Sequence, residues 1–358
     1  PHLCSQAVKR RFLLLCIATQ AIACQVPVFR YALERWEADT FRLQLITRGD
    51  PPSDLQTIPE YLNLEFETLD LDTLTPVQQL SIVGLEKISE YPSFLLHPPD
   101  SWKNPEPLVF QGTSSALQSI TDSPLRQRIK TDLLSGHSTV WVLVEGTDQE
   151  ANEATYQQLQ ETLKIAQEKI SIPDGVIQAD QVGKVGDNIS LDDVLRSTIP
   201  LRISFKIERV LRSNIKEQSF LRILTANRYS PPEEPLVVPI FGRGRTPGPL
   251  LGSSITPEDI INACEYLCGA CSCQVKSGNP GYDLLLLANW RKNLQNGLVV
   301  IDKELPVILP TLNTEIVAES NDSVAPNSFI IEFTPTLVMG TILGLGLVIG
   351  TIVILKKS

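Results

Sequence analysis

Histidine and methionine are scarce in this chain of 358 residues, which holds three of the first and one of the second. The histidines are His2, His97 and His137, and no serine, histidine and aspartate set of a hydrolase can be assembled around them. A sequence repeat of twenty to fifty residues is also missing, which excludes a solenoid or a propeller. With no recognisable catalytic set, we expect a protein that is not an enzyme.

Basic residues are outnumbered as well, 31 against 41 acidic ones, for a formal net charge of −10. Five of the basic residues lie near the two ends, in residues 1–23 and 335–358, where no acidic residue occurs. The remaining 26 basic and 41 acidic residues give the body, residues 24–334, a net charge of −15. Such a surface repels phosphate backbones, so we expect no nucleic-acid partner.

The N-terminal segment has the features of a secretory signal peptide, here residues 1–23. Three basic residues precede the apolar stretch "FLLLCIATQAIA", which ends in a small-x-small cleavage sequence and is too short to span a bilayer. The next residue, Cys24, also fits a loose lipobox and is a candidate for lipidation as the mature N-terminus. Simple cleavage after Ala23 is the alternative.

The C-terminal segment predicts a membrane anchor. Residues 335–355 carry no charge and are long enough for a transmembrane helix, and Lys356 and Lys357 follow as a cytoplasmic tail, residues 356–358. We therefore expect a protein of the cell envelope, anchored in the inner membrane with its body in the periplasm. Small residues four apart favour close helix approach, and thus self-association or a membrane partner, at Gly340, Gly344, Gly346 and Gly350.

Strand and helix patterns alternate along the body. Apolar or alternating runs at 41–46, 107–112, 138–146, 201–212 and 235–242 predict strands. Helical patterns follow Pro27 and run from Pro76 to Tyr91, and later helices are predicted to start at Ser123-Pro124, Asp148 and Thr256-Pro257. This predicts an α/β fold with a mixed sheet flanked by helices, thioredoxin-like in one interpretation, because the alternation in 201–212 is typical of an antiparallel strand. A proline-rich loop at 92–107 divides an N-terminal α/β part (24–106) from a main α/β domain (107–304), and a stalk (305–334) follows.

Four of the seven cysteines lie in "CEYLCGACSC", at Cys264, Cys268, Cys271 and Cys273. The pattern Thr256-Pro257 predicts a helix start, and Gly269 predicts its end as a C-cap glycine. In an oxidising compartment neighbouring thiols tend to pair, so disulfides from the helix to the turn are the first hypothesis. Two cysteines four apart on one helix are poorly oriented for a bond, and the sequence does not choose among the other pairings.

Two other chemistries remain open for these cysteines, besides inert packing. The spacing C-x3-C-x2-C-x-C could supply four thiolates to zinc, with no histidine to complement them. Cys268-Gly-Ala-Cys271 is a C-x-x-C pair, but it follows a helix, and a helix C-terminus raises a thiol pKa where a helix N-terminus would lower it. Cys24-Gln-Val-Pro27 does precede a helix, as a redox-active cysteine would.

The stretch "FGRGRTPGPLLG" (241–252) follows a predicted strand. It is not a Walker loop and does not match Gly-x-Gly-x-x-Gly. Its turn could present backbone amides and the guanidiniums of Arg243 and Arg245 to an anion. Pairing of these arginines with local carboxylates is the alternative.

Three stretches, "CQVPVFRYALERW", "PIFGRGR" and "CSCQVKSGNPGYDLLLLANW", resemble an uncharacterised family of exported, membrane-anchored proteins of planctomycete-type bacteria. The resemblance covers the start and the last third of the body. It implies a location and no catalytic residues. It also suggests that the Cys-x-x-Pro segment, the Gly-Arg loop and the cysteine turn converge at one end of the sheet.

Two functional hypotheses follow. The first is a non-enzymatic, membrane-tethered extracytoplasmic protein that acts as a structural or interaction component of an envelope complex, with structural cysteines and no cofactor. The second is a thiol-disulfide or metal-dependent redox module on a thioredoxin-like sheet.

Overall fold

A computed structural model of the chain describes residues 25–102, 106–178, 181, 190–225 and 231–295. They belong to one compact unit, Pro1–Asp302. The expected signal peptide, Cys24, the stalk, the transmembrane helix with its four glycines, and the cytoplasmic tail lie outside the described residues. Among the residues that are described, no helix is long and apolar enough to cross a membrane.

The first sheet is mixed and follows a short helix. Strands β1 and β2 are parallel, β3 is antiparallel to β1, and β4 is antiparallel to β3, in the order β2-β1-β3-β4. The elements of this part, in chain order, are α1 (Val28–Arg35), β1 (Phe41–Thr47), β2 (Leu64–Asp70), α2 (Pro76–Leu80), β3 (Ser93–His97), β4 (Leu108–Gln111) and α3 (Ser114–Thr121).

The second sheet repeats this arrangement in the order β6-β5-β7-β9. Here β5 and β6 are parallel, β7 is antiparallel to β5, and β9 is antiparallel to β7. Its elements are α4 (Pro124–Leu134), β5 (Thr139–Glu145), α5 (Gln149–Lys169), β6 (Phe205–Leu211), α6 (Gln218–Leu224), β7 (Leu236–Ile240), β8 (Arg245–Thr246), β9 (Leu250–Leu251) and α7 (Pro257–Cys268). The remaining elements are α8 (Cys273–Gly278), β10 (Tyr282–Asp283), which pairs with β8, and α9 (Trp290–Gln295).

Side-chain caps explain where the longer helices begin. Ser123 and Thr256 accept hydrogen bonds from backbone amides in the first turns of α4 and α7, and each is followed by a proline at the first helical position. Asp148 caps α5 in the same way, through the amide of Ala151 at 3.1 Å. These three starts are where the sequence predicts them.

One core joins the two sheets. The inward faces of β1 and β5, with apolar residues of α3, α4 and α6, belong to a single buried cluster; its members include Phe41, Leu43, Leu45, Leu117, Ile129, Val140, Val142, Val144 and Phe220. The other face of the second sheet has its own core, in which Trp141 and Leu143 pack with residues of α5 and α7. The other face of the first sheet has a smaller cluster, built on Ile46, Leu71 and Leu95.

The structure confirms the α/β class with mixed sheets flanked by helices and corrects several details. The strand in 201–212 is β6, and it pairs in parallel with β5, so the antiparallel prediction is wrong. Its alternation comes from the two faces of the strand, since Phe205 and Ile207 pack against the core beneath α5 whereas Lys206 on the other face is exposed. The helix predicted from Pro76 to Tyr91 is wrong beyond Leu80, where turns follow and Gly84 adopts a φ of 88°.

The division between residues 106 and 107 falls between β3 and β4, which pair within one sheet. The chain changes sheet only after β4. Gly269 does end α7, but its φ of −72° and ψ of 166° are extended rather than left-handed. Its carbonyl is oriented toward α1, where it accepts a hydrogen bond from the amide of Val28 at 3.0 Å.

Candidate functional site

The cysteine cluster lies at the C-terminal end of α7 and in the turn that follows. Cys264 and Cys268, four residues apart, are buried on the same side of the helix, and Cys271 is buried in the turn. Cys273 opens α8 and is exposed. Within the described part of the chain, no disulfide bond joins any two of these four sulfurs.

The described part of the Cys-x-x-Pro segment pairs with this turn. The amide of Cys271 donates to the carbonyl of Val26 at 3.0 Å, and Pro27 forms an antiparallel bridge with Ala270. Helix α1 follows at once and packs on α7, and Cys268 and Cys271 lie in the same apolar cluster as Val28. Cys24 itself is outside the described residues, so its distance from the cluster is not part of the structure.

Burial keeps the helix cysteines protonated. It raises the pKa of Cys264 far above its ordinary value, with smaller contributions from Cys268 and Glu265. Burial likewise raises the pKa of Cys268 to about 12, although a hydrogen bond with Ser138 opposes the shift. Because the thiolate is the reactive form of cysteine, both sulfurs are weak nucleophiles at neutral pH.

The cluster is at one end of β5 and the start of α5 is at the other. Ser138, the neighbour of Cys268, directly precedes β5, whereas Gly146 and Thr147 follow β5 and lead into α5. At that second end the amide of Thr147 donates to the carbonyl of Pro232 at 3.0 Å, and a Cβ on Gly146 would lie 2.1 Å from the carbonyl oxygen of Glu233. The turn that opens α5 therefore packs against the loop before β7 and contains no cysteine.

No tetrathiolate site is formed in the described part of the chain, where no three cysteine, histidine, aspartate or glutamate side chains are arranged to hold a metal ion. Of the histidines, His97 bonds to Gln44 on the first sheet at 2.7 Å, and His137 bonds to Ser204 at 2.8 Å. Neither lies in the cysteine cluster.

The Gly-Arg loop binds to α1 and to the chain before β10. Gly242 has a φ of 60°, and a Cβ on it would lie 2.7 Å from the Cβ of Ala32, so the turn packs closely on the helix. Arg243 donates from Nε to the carbonyl of Leu33 at 2.9 Å and from Nη1 to the carboxylate of Glu37 at 2.9 Å. The described part of the Cys-x-x-Pro segment, the Gly-Arg loop and the cysteine turn thus all meet at α1.

Arg245 is turned into the protein. Its guanidinium donates to the carbonyls of Asn279 at 2.6 Å, Pro280 at 2.9 Å and Gly281 at 3.1 Å, and it pairs with the carboxylates of Asp39 at 3.3 Å and of Asp283. Only 2% of the residue is exposed. This geometry favours local pairing over anion binding for Arg245.

The sequence interpretation missed a buried ion pair within α1. The Nε of Arg30 lies 2.8 Å from the carboxylate of Glu34, and both side chains are almost completely buried. Glu34 also accepts from the amide and hydroxyl of Ser197 at 3.0 and 2.9 Å, and from the amide of Arg196 at 2.8 Å. The signal available in the sequence was the spacing of Arg30 and Glu34 by four residues, which is equally common on exposed helix faces.

No protein-family model, no curated protein and no solved structure matches this chain.

Proposed function

We propose that the protein is a membrane-tethered extracytoplasmic interaction component built on two thioredoxin-like sheets, with structural cysteines. The observation that supports it best is the location of the thiols. In thioredoxin-like proteins the reactive pair precedes a helix that follows a strand, where the positive end of the helix lowers the thiol pKa. Here the corresponding turn, from Gly146 to Asp148, contains no cysteine, and the cluster lies at the opposite end of β5.

The repeated strand order supports the thioredoxin-like interpretation. In each sheet a parallel pair, β1 with β2 or β5 with β6, is followed by two antiparallel strands in the order 2-1-3-4. The second sheet also has helices on both faces, with α5 and α7 on one side and α6 on the other. A scaffold of this kind without a reactive pair retains its surfaces for binding.

Thiol titration of the full-length protein distinguishes the two functional hypotheses. We expect Cys264 and Cys268 to react with an aromatic disulfide reagent at neutral pH far more slowly than the exposed Cys273, because burial raises their thiol pKa and keeps the reagent away. Unfolding should make them reactive, and a chelator should change nothing. In a chain that also carries Cys24→Ser, the substitution Cys273→Ser should remove the fast phase, and Cys264→Ser should leave it.

A fast native reaction at Cys264 or Cys268, or thiols that appear only after chelation, would contradict the structural role and favour the redox or metal hypothesis.

The membrane location rests on the two ends of the sequence and has its own test. We expect deletion of residues 335–358 to release the body into the soluble extracytoplasmic fraction if Ala23 is simply cleaved, and to leave it membrane-bound if Cys24 is acylated. The double change with Cys24→Ser should be soluble in either case. A doubly altered protein that stays in the membrane fraction would contradict both anchors.

A further inference from the structure

A cavity of about 480 Å³ opens beside the end of α1. Its walls come from the chain between α1 and β1, from residues 61–63 before β2, from residues 196–197, and from the segment 288–294 that includes α9. It contains none of the cysteines and is therefore separate from the cluster described above.

The cavity is lined by three arginines, Arg196, Arg243 and Arg291. The carboxylate of Glu34, which also lines it, is neutralised by Arg30 at 2.8 Å and Arg35 at 3.3 Å. The other lining carboxylate is that of Glu37, which pairs with Arg243. Arg196 and Arg291 have no ion pair or hydrogen bond from their guanidiniums within the described ranges. The cavity is thus locally positive in a body whose net charge is −15.

The backbone that presents Arg196 is fixed. Its amide and that of Ser197 donate to the buried carboxylate of Glu34 at 2.8 and 3.0 Å. Arg243 is held from the other side by the carbonyl of Leu33. The anchored backbone of Arg196 limits where its exposed side chain can reach, and the anchored side chain of Arg243 loses little entropy when a ligand is bound.

Aromatic side chains complete the cavity. Tyr61 is 60% exposed and has a φ of 67°, an unfavourable backbone conformation for a residue with a Cβ. Such strain is concentrated at functional sites. Trp290 is half-buried and packs partly against the shared core. Pockets that bind organic molecules combine aromatic walls with a few charged groups.

We propose that this cavity binds an organic carboxylate with an apolar or aromatic body, and that Arg196 and Arg291 pair with the carboxylate. The ligand is either a free small molecule or the C-terminal end of a partner polypeptide, since both offer the same chemistry. Arginine suits this role because its guanidinium can bind a carboxylate in a bidentate manner.

The test is titration calorimetry on the full-length protein in detergent, with N-acetyl-phenylalanine as the probe. Its uncharged amide, N-acetyl-phenylalaninamide, is the matched control ligand. We expect binding of the acid, which weakens as salt is added, and much weaker binding of the amide. Arg196→Gln and Arg291→Gln should each weaken binding by about tenfold or more, since each variant loses a charge-assisted hydrogen bond to the carboxylate.

The control variant is Arg42→Gln, an exposed arginine of β1 that does not line this cavity, and it should bind as the parent does. Thermal unfolding shows that each variant is folded. Tighter binding of acetyl-Gly-Gly-Phe with a free C-terminus than of N-acetyl-phenylalanine would identify a polypeptide end as the ligand. Equal or weaker binding would identify a small molecule. No binding of the acid, equal binding of acid and amide, or unchanged binding by the double variant Arg196→Gln/Arg291→Gln would overturn the proposal.

Discussion

The two sheets have the same strand order and directions but different coverings. The second sheet connects β5 to β6 through α5, a helix of 21 residues, and α5 packs with α7 over Trp141 and Leu143. The first sheet connects β1 to β2 through residues 48–63, which contain only a single 3₁₀ turn at Ser53–Leu55. Its outer face is covered by the turns on either side of α2, through Leu74, Ile82, Leu85 and Ile88. The comparison indicates that the first sheet depends on the shared core for most of its buried area.

The largest expected effect tests the connection between the first sheet and the second sheet through α1. Glu34 lies on α1, which leads into β1, but its carboxylate binds Ser197, which precedes β6. The substitution Glu34→Gln leaves Arg30 buried without its charge partner, so we expect a loss of about 3–5 kcal/mol in the free energy of unfolding. Urea denaturation followed by circular dichroism measures it.

The matched control is Glu153→Gln. Glu153 pairs with Arg209 at 3.1 Å while half-exposed to solvent. An exposed ion pair contributes less than about 1 kcal/mol. Equal losses of unfolding free energy for the two variants would show that α1 does not join the two sheets through the hydrogen bonds and ion pair of Glu34.

A matched pair of leucine truncations compares the two outer faces directly. Leu143 and Leu95 are both fully buried, the first beneath α5 and α7 and the second beneath the turns around α2. We expect Leu143→Ala to cost about 4 kcal/mol of unfolding free energy and Leu95→Ala about 2, because the neighbours of Leu95 are partly exposed and can close over the cavity. Chemical denaturation of both variants in one buffer checks the difference, and a larger cost for Leu95→Ala would reverse the interpretation of the two faces.

The smallest expected effect is a pH dependence in the first sheet. Burial, and to a lesser degree the positive charge of Arg42, lowers the pKa of His97 from 6.5 to about 4, although Glu67 opposes the shift. The unfolded chain therefore binds this proton at higher pH than the folded protein does, and stability is lost as pH falls from about 6.5 toward 4. Because His97 is only half-buried, we expect a loss of about 1 kcal/mol.

The variant His97→Gln should remove this dependence, as measured by unfolding between pH 4 and 7. The comparison variant is His137→Gln, beside the second sheet. Burial lowers the pKa of His137 but the charge of Asp132 raises it, so the two effects oppose each other. A stability profile unchanged by His97→Gln would exclude His97 as its source.

Local signals predicted much of this fold. The pairs Ser123-Pro124 and Thr256-Pro257 located the starts of α4 and α7, and the apolar run at 138–146 located β5, because caps and burial depend on neighbouring residues. The direction of β6 could not be predicted from the sequence. Alternation shows only that one face of a strand is exposed to solvent, and a strand can have such a face whether its neighbour is parallel or antiparallel.

Which side chains meet at each candidate site depends on residues that are far apart in the sequence. The sequence singled out Arg243 and Arg245 together, yet the fold turns Arg245 toward Asp283 and leaves Arg243 at a cavity with Arg196 and Arg291. Arg196 and Arg291 lie 47 and 48 residues from Arg243 in the chain, and no pattern near them indicates a shared cavity.

Helix α1 has a consequence for the order in which the chain can fold. It is the first described helix, but its backbone and side chains bond to residues in the range 191–199, to Arg243 and to Gly269, at sequence separations such as 167 and 210 residues. A nascent chain that emerges from its N-terminus therefore carries α1 for most of its synthesis without the surfaces that complete it. Contacts at such separations make folding slow. The packing of α1 is therefore complete only once the chain up to Gly269 has been made.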